Sequence, residues 1–442
     1  MTFLKGIEMS NEKQHLEFLD NFLFPKIFQT FRIAIQPTKL FIAFSALAII
    51  ALAGWLMDCS KTVVAANSSQ TELQTYLVDP QAVQSFIQRY KEDGQHTGVF
   101  STLWQCAVTR FNGAVGSVFA FNLQGVVANI VDFFKTIRWA LKYHFLYCII
   151  FFAIILSAIS LGAGAICRIA ALQFAQGEKP GIREALQFSI KKFTSLFAAP
   201  LVPVCMIICI GLCIFLLGVI GNIPIAGEII MAIFMLLSLI AGALIAVVSI
   251  GAIAGFNLMF PAVAYDGSDC FDAISRSFSY IYAKPWRMGF YTVVAAIYGA
   301  VCYAFVRLFA FLMLWFTHRF LQLGVWVDNS SKDANKLSAI WKEPNLMKLV
   351  DTSALVSANR SESFSAFVIQ LLLLAVVGLL VSFVISFFFS ANTIIYALMR
   401  NRVDNTALAD IFTPRFDQTM IQSVASEPEP QNTKPEPQTE KN

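Results

Sequence analysis

The sequence predicts an all-α, polytopic transmembrane helix bundle of about six spans with amphipathic helices at the membrane interface. Three observations predict it. Of 442 residues, 57% are hydrophobic and 14% charged, with mean hydropathy +0.65, whereas soluble domains run at roughly 45–50% apolar and about 25% charged. The apolar residues fall in blocks of about 20 or more, enough for a helix rising about 1.5 Å per residue to cross about 30 Å of hydrocarbon. Lysine and arginine gather in two short loops that lie on one side of the bilayer.

Residues 1–39 form a cytoplasmic N-terminal segment with an amphipathic helix. They include Glu8, Glu12, Glu17 and Asp20 and lack the apolar run and small-residue cleavage site of a signal peptide, so the first hydrophobic helix is expected to remain as an anchor. The first span covers residues 40–57. A long polar-to-mixed extracytoplasmic segment, 58–143, precedes the remaining five spans within residues 144–400. The second span runs from about Phe145 to Ala165 and the third from about Leu196 to Val219. Gly221 to Pro224 then supplies a tight turn, and the fourth span begins near Ile229. The apolar run from Ile229 to Ala264 has 36 residues and would be about 54 Å long as one helix. It is read as a single span that tilts, kinks near Gly251, Gly255 or Pro261, or finishes beyond the bilayer. The fifth span covers about Met288 to Trp315, an outside loop takes 317–363, and the sixth covers about Phe364 to Phe389. The tail, 401–442, is cytoplasmic and is expected to be disordered from about residue 426, where Glu, Pro, Gln and Lys dominate.

Both termini are placed in the cytoplasm. The loop before the third span carries Arg168, Lys179, Arg183, Lys191 and Lys192, and the loop before the fifth carries Arg276, Lys284 and Arg287. The tight turn on the opposite side carries no lysine or arginine. Lys135, Arg138 and Lys142 lie outside in this arrangement. Phe111 to Val131 contains no charged residue and is long enough to span, but a crossing there would push the next basic loop outside. It is therefore read as interfacial or packed in an external subdomain.

A weak repeat accompanies the spans. Small-apolar pairs, Ala185-Leu186, Ala273-Ile274 and Ala407-Leu408, follow three inward-returning helices. The first two lead into amphipathic stripes, Leu186, Ile190, Phe193 and Phe197 in one and Phe271, Ile274, Phe278 and Ile281 in the other. Gln36 to Leu40 and Lys284 to Met288 share a basic-and-proline entry chemistry, with the lysines expected to snorkel to headgroups. The echoes suggest three hairpins.

Candidate chemistry is sparse. Cys205, Cys209 and Cys213 share a helix face, but no histidine or carboxylate joins them and they read as packing residues. Cys59 and Cys106 fall in the external segment, where a disulfide closing nearly fifty residues would contribute about 4 kcal/mol in the entropic account. Arg307 is the one charge well inside a span, at a cost of about 2.5–3.5 kcal/mol at a helix centre on the insertion scale, and is expected to snorkel outward. Asn257 and Asn392 lie near the ends of returning spans and can bond between helices or border a polar path. Gly251 and Gly255 form a GxxxG packing motif, and Ala295 with Gly299 a looser one. Asn67, Asn329 and Asn359 each begin an Asn-x-Ser triplet.

Residues 168–186 (RIAALQFAQGEKPGIREAL) and 261–278 (PAVAYDGSDCFDAISRSF) resemble an uncharacterised bacterial, planctomycete-type family of six-helix integral membrane proteins. The second stretch is more distantly similar to the membrane domain attached to some glycerophosphodiester phosphodiesterases, whose catalytic barrel this chain lacks. The resemblance covers roughly residues 130–310. It implies a bacterial inner membrane and carries no activity to transfer.

These readings point to a non-enzymatic membrane-organising or partner-binding protein, with lipid, membrane proteins or a second copy as partners. A transporter or channel for a small solute is the alternative, motivated by Pro200, Pro203 and Pro261, which can interrupt helices around a substrate site. The spans show no paired aspartates, Ser-His set, zinc motif or cofactor fingerprint. A net charge of +4, spread over many loops, argues against nucleic acid.

Overall fold

A computed structural model describes residues 24–60, 63–67, 70–90, 95–325, 337, 340–346, 349 and 360–413. A 3-10 turn, Phe24–Gln29, leads through α1 (Thr30–Ala34) to α2 (Pro37–Ser60). Proline fits this helix start because its φ is already helical and its missing N–H would have had no partner there. Strands β1 (Val64–Ala66) and β2 (Gln95–Thr97) pair antiparallel, with Ala65 opposite His96. Between them lie α3 (Glu72–Val78), closed by a Thr71–Gln74 capping box, and α4 (Val83–Tyr90). A helical hairpin, α5 (Val99–Phe119) and α6 (Leu123–Tyr143), joins them to α7 (Phe145–Gln176). The chain continues as α8 (Ile182–Lys191), α9 (Phe193–Ile220), α10 (Ala226–Asp266), α11 (Cys270–Ala283), α12 (Pro285–Gly324) and α13 (Arg360–Val403).

Six of these helices, α2, α7, α9, α10, α12 and α13, are long and apolar enough to cross a membrane. The protein is an all-α polytopic membrane protein. Consecutive spans pack in pairs, α2 on α7, α9 on α10 and α12 on α13, and α13 also touches α2, α7 and α10. The break at residues 120–122 divides the uncharged stretch 111–131 between the two legs of the α5–α6 hairpin, so it is no single span.

The excess length of the spans has a plain physical outlet. α10 is one helix of 41 residues. Ile229, Ile233, Leu244, Ile250 and Ile253 on its first two thirds are exposed, as lipid-facing residues are, whereas Leu258 to Tyr265 are enclosed by protein. α7 from Gly162 to Leu172 and α13 from Phe389 to Arg400 are buried in the same base core, alongside Leu196 and Ile281. Only part of each long helix needs lipid as its solvent. Pro200, Pro203 and Pro261 all lie inside continuous helices.

The underside of this base is polar and crossed by many hydrogen bonds and ion pairs. Asp266, at the end of α10, lies 3.2 Å from Arg400 Nε and 3.4 Å from an Arg276 amino group, and accepts from the Tyr396 hydroxyl. Arg168 donates to the carbonyls of Ala264 at 3.0 Å and Phe412 at 2.7 Å. Arg400 also donates to the Asp410 carbonyl at 2.6 Å, and Tyr265 to that of Leu408, so residues 408–412 are held under the bundle. Tyr280 donates to Asp404 at 2.5 Å, and burial beside that carboxylate pushes its hydroxyl well above the ordinary range. It remains a donor at any physiological pH.

At the opposite end, Asp58 ties three helices together. It accepts from Phe100 N at 3.0 Å, Ser101 N at 2.9 Å and the Tyr147 hydroxyl at 2.9 Å. A Cβ at residue 98 would lie 1.9 Å from its carboxylate, so only glycine admits it. Buried Glu72 accepts from Trp139 Nε1 at 3.0 Å and lies 3.5 Å from His144.

Several expectations change. Lys39 does not snorkel; it is fully buried and donates to the Ile33 carbonyl at 2.9 Å and to Gln173 at 3.2 Å. Cys59 and Cys106 are free thiols, the first exposed and the second buried with its sulfur 3.1 Å from Thr136 Oγ1. The inward face of α11 is Ala273, Ser277 and Tyr280 with Ile274 and Ile281, leaving Phe271 exposed, and Ile190 on α8 is exposed as well. On α11, Ile274 and Ile281 of the expected stripe thus do face inward, joined by the small Ala273 and Ser277. Of the Asn-x-Ser triplets, Asn67 is exposed, while Asn329 and Asn359 lie outside the described residues, as does the expected disordered tail. Gly251 and Gly255 pack within the chain, against α11: a Cβ would lie 3.0 Å from the Phe278 ring at the first and 2.9 Å from Ile281 at the second.

Two outcomes follow for the purified protein. Gly255→Leu should destabilise by about 1–3 kcal/mol through overpacking and lower the thermal midpoint in detergent. Gly242→Leu on the same helix meets nothing within 4 Å and should leave that midpoint unchanged. Asp266→Ala strands Arg400 and Arg276 and should cost about 3–5 kcal/mol, read as lost monodisperse protein in size-exclusion chromatography.

Candidate intramembrane cleft

The helices α12 and α13 run antiparallel, and a row of small residues on α12 leaves space between them. Ala295, Ala296, Gly299 and Ala300 recur at helical spacing along α12 and leave a trough. A Cβ on Gly299 would come 2.7 Å from the ring of Phe387, so glycine is what lets that ring seat. Phe383, Phe388 and Ala391 of α13 form the facing wall, and Ala114, Val115 and Val118 of α5 cover one side. The cavity between them is about 270 Å³.

A second cavity of about 360 Å³ adjoins it and shares Phe111, Tyr303 and Val384 with the first. The two are chambers of one cleft. From the second chamber to the first, the lining advances from Trp104 to Val118 on α5 and from Val377 to Ile395 on α13, while it retreats from Arg307 to Thr292 on α12. The α5 leg therefore runs alongside α13, toward the end of the bundle where Arg400 lies.

The three polar residues picked out by sequence meet here. Asn257 and Asn392 line the first chamber and Arg307 the second. Asn392 donates to its own Phe388 carbonyl at 2.9 Å. Arg307 is built into a cluster: its guanidinium donates to Asn112 Oδ1, to the Tyr303 hydroxyl at 2.9 Å and to the Leu346 carbonyl at 3.1 Å. Tyr303 also bonds Asn112 at 3.1 Å, and Phe111 packs edge-on against its ring. Hydrogen bonds to a charged donor are the stronger class, so this cluster fixes α5 against α12. Sequence reasoning missed Asn112, Tyr303 and Thr292. Asn112 carried a signal, being a polar side chain just inside an uncharged stretch.

Most of the lining is aliphatic or aromatic, with polar groups concentrated at Arg307–Asn112–Tyr303 and at Asn257–Asn392–Thr292. Such a site suits an amphiphile, whose chain needs apolar walls and whose head needs a few donors. Among the described residues, no group of three or more His, Cys, Asp or Glu side chains is placed to hold a metal ion.

The Arg307–Asn112 contact should register as coupling. Asn112→Leu alone is expected to cost about 1–3 kcal/mol by stranding its partners. The double variant Asn112→Leu with Arg307→Met should cost about 1 kcal/mol less than the two singles added, measured from thermal midpoints. No protein-family model matches the chain, and neither a curated protein nor a solved structure gives a significant match to it.

Proposed function

We propose that this is a non-enzymatic, lipid-handling protein of the cell membrane that accommodates an amphiphile between α5, α12 and α13. The observation that carries the reading is the two-chambered cleft, which is apolar through most of its length and joins Arg307 and Asn112 in one chamber to Asn257 and Asn392 in the other. This sharpens the membrane-organising role expected from sequence, since a resident amphiphile gives the protein a lipid to organise. Both termini are placed in the cytoplasm. The supporting observation is that Arg168, Lys192, Arg276, Lys284 and Arg400 converge at one end of the bundle, while the α9–α10 turn at the other carries no lysine or arginine.

Transport of a small solute is the second reading, favoured by polar groups in both chambers. The uninterrupted courses of α9 and α10 weigh against it, because transporter sites are commonly built from broken helices.

Filling the cleft tests the proposal. Ala300→Phe combined with Ala114→Phe places rings in the first chamber. Lipid extracted with the purified protein, quantified by mass spectrometry, should fall about tenfold, equivalent to about 1.4 kcal/mol. A folded, monodisperse double variant that retains its full lipid complement would overturn the reading.

A further inference from the structure

The α5–α6 hairpin offers a surface that the cleft does not use. From Phe111 to Val131 it carries no charge, and its two legs end at a turn spanning residues 120–122. Each uncharged leg is about ten residues, or about 15 Å, which is half the thickness of a bilayer's hydrocarbon. Charges begin at one level on both legs, where Arg110 and Asp132 pair at 3.1 Å and Lys135 joins Asp132 at 3.2 Å. Below that level Phe119, Phe121, Leu123, Val127 and Ile130 point outward and are exposed.

Three further features fit immersion in hydrocarbon. The three amide N–H groups of the turn are paired within it: Ala120 N bonds the Gly116 carbonyl, Phe121 N that of Val118 and Asn122 N that of Ser117. Three polar side chains near the tip also bond inward, with Ser117 donating to the Gly113 carbonyl, Asn129 to that of Gly125, and the Asn122 amide oxygen accepting from Gly125 N, while Gln124 is exposed. Without water, such internal pairing is what a lipid-exposed backbone requires. Finally, Phe121 occupies the left-handed region at φ 52° and is 97% exposed. Glycine or asparagine would sit there at less cost, since that conformation costs an ordinary residue about 1–2 kcal/mol. A phenylalanine held there, touching almost nothing in its own chain, gains only if something apolar surrounds it.

We infer that α5–α6 is a re-entrant hairpin, which enters the bilayer from the end where Asp58 and Tyr147 meet, runs down beside α12 and α13, and returns to the same face. Its partner is acyl-chain hydrocarbon, continuous with the lipid that faces the neighbouring spans. Because it enters and leaves on one side, it alters neither the six-span count nor the disposition of the termini.

Photocrosslinking of the full chain in its native membrane tests this. A p-benzoylphenylalanine at residue 121 replaces an exposed ring and should leave the fold intact. After irradiation, mass spectrometry is expected to find lipid adducts at residue 121 and none with the probe at exposed residue 81 in the α3–α4 region. Chain-to-chain crosslinks at 121 would show a second copy covering the tip, and an adduct level no higher than at 81 would place the tip in water. Either result overturns the inference. Phe121 does not line the cleft, so the outcome is independent of what the cleft holds.

Discussion

An ionised carboxylate beneath an apolar bundle persists only when the fold itself supplies its counter-charges and donors, and Asp266 imposes that condition on this protein. It closes α10, and its partners arrive from α11 through Arg276 and from α13 through Tyr396 and Arg400. Three helices must therefore meet at one point in space. Arg168 from α7 sits beside them, fastened to the carbonyls of Ala264 and Phe412. Once these ends are pinned, the lengths and tilts of α7, α10 and α13 follow, because each must run from a common polar floor up into lipid.

That floor also accounts for what hydropathy alone left open. A run such as Ile229 to Ala264 has the same composition whether its solvent is lipid or protein, so its length is ambiguous in the sequence. The ambiguity resolves in side-chain exposure, with Ile253 outward and Leu258 enclosed. Existence and order of the six spans were legible because twenty-residue apolar blocks have few other solutions. Boundaries were less so, and Lys39 shows why. A basic residue at a span entry is ordinarily held by headgroups, yet here the α1–α2 turn offers the Ile33 carbonyl and α7 offers Gln173, and neither acceptor is visible from local spacing.

The polar candidates show a similar division. Arg307, Asn257 and Asn392 stood out because polar side chains inside apolar helices are costly, and all three line one cleft. Their grouping was invisible, as they lie on α12, α10 and α13. The stripe on α11 was legible in part, since Ile274 and Ile281 are buried and Phe278 packs on Gly251, whereas Phe271 is exposed. Close contact with α10 needs small groups on one side only, and Gly251 and Gly255 make room there for Phe278 and Ile281. In a bundle whose solvent is itself apolar, exclusion from lipid gives no advantage, and packing selects for size over hydrophobicity.

The same logic links the cleft to the hairpin beside it. Small residues on α12 leave a trough beside α13, and an open trough in hydrocarbon would fill with whatever apolar material is nearest. α5 supplies part of that filling from within the chain, with Val115 and Val118 on the trough and Asn112 locked to Arg307. What α5 leaves unfilled is a space of defined shape with polar groups in both chambers. A helix anchored at Asp58 and at Asn112, but free at its tip, can hold such a space open without a contact on every side. The cleft is thus a consequence of side-chain size, alanine and glycine where α12 elsewhere carries phenylalanine and leucine.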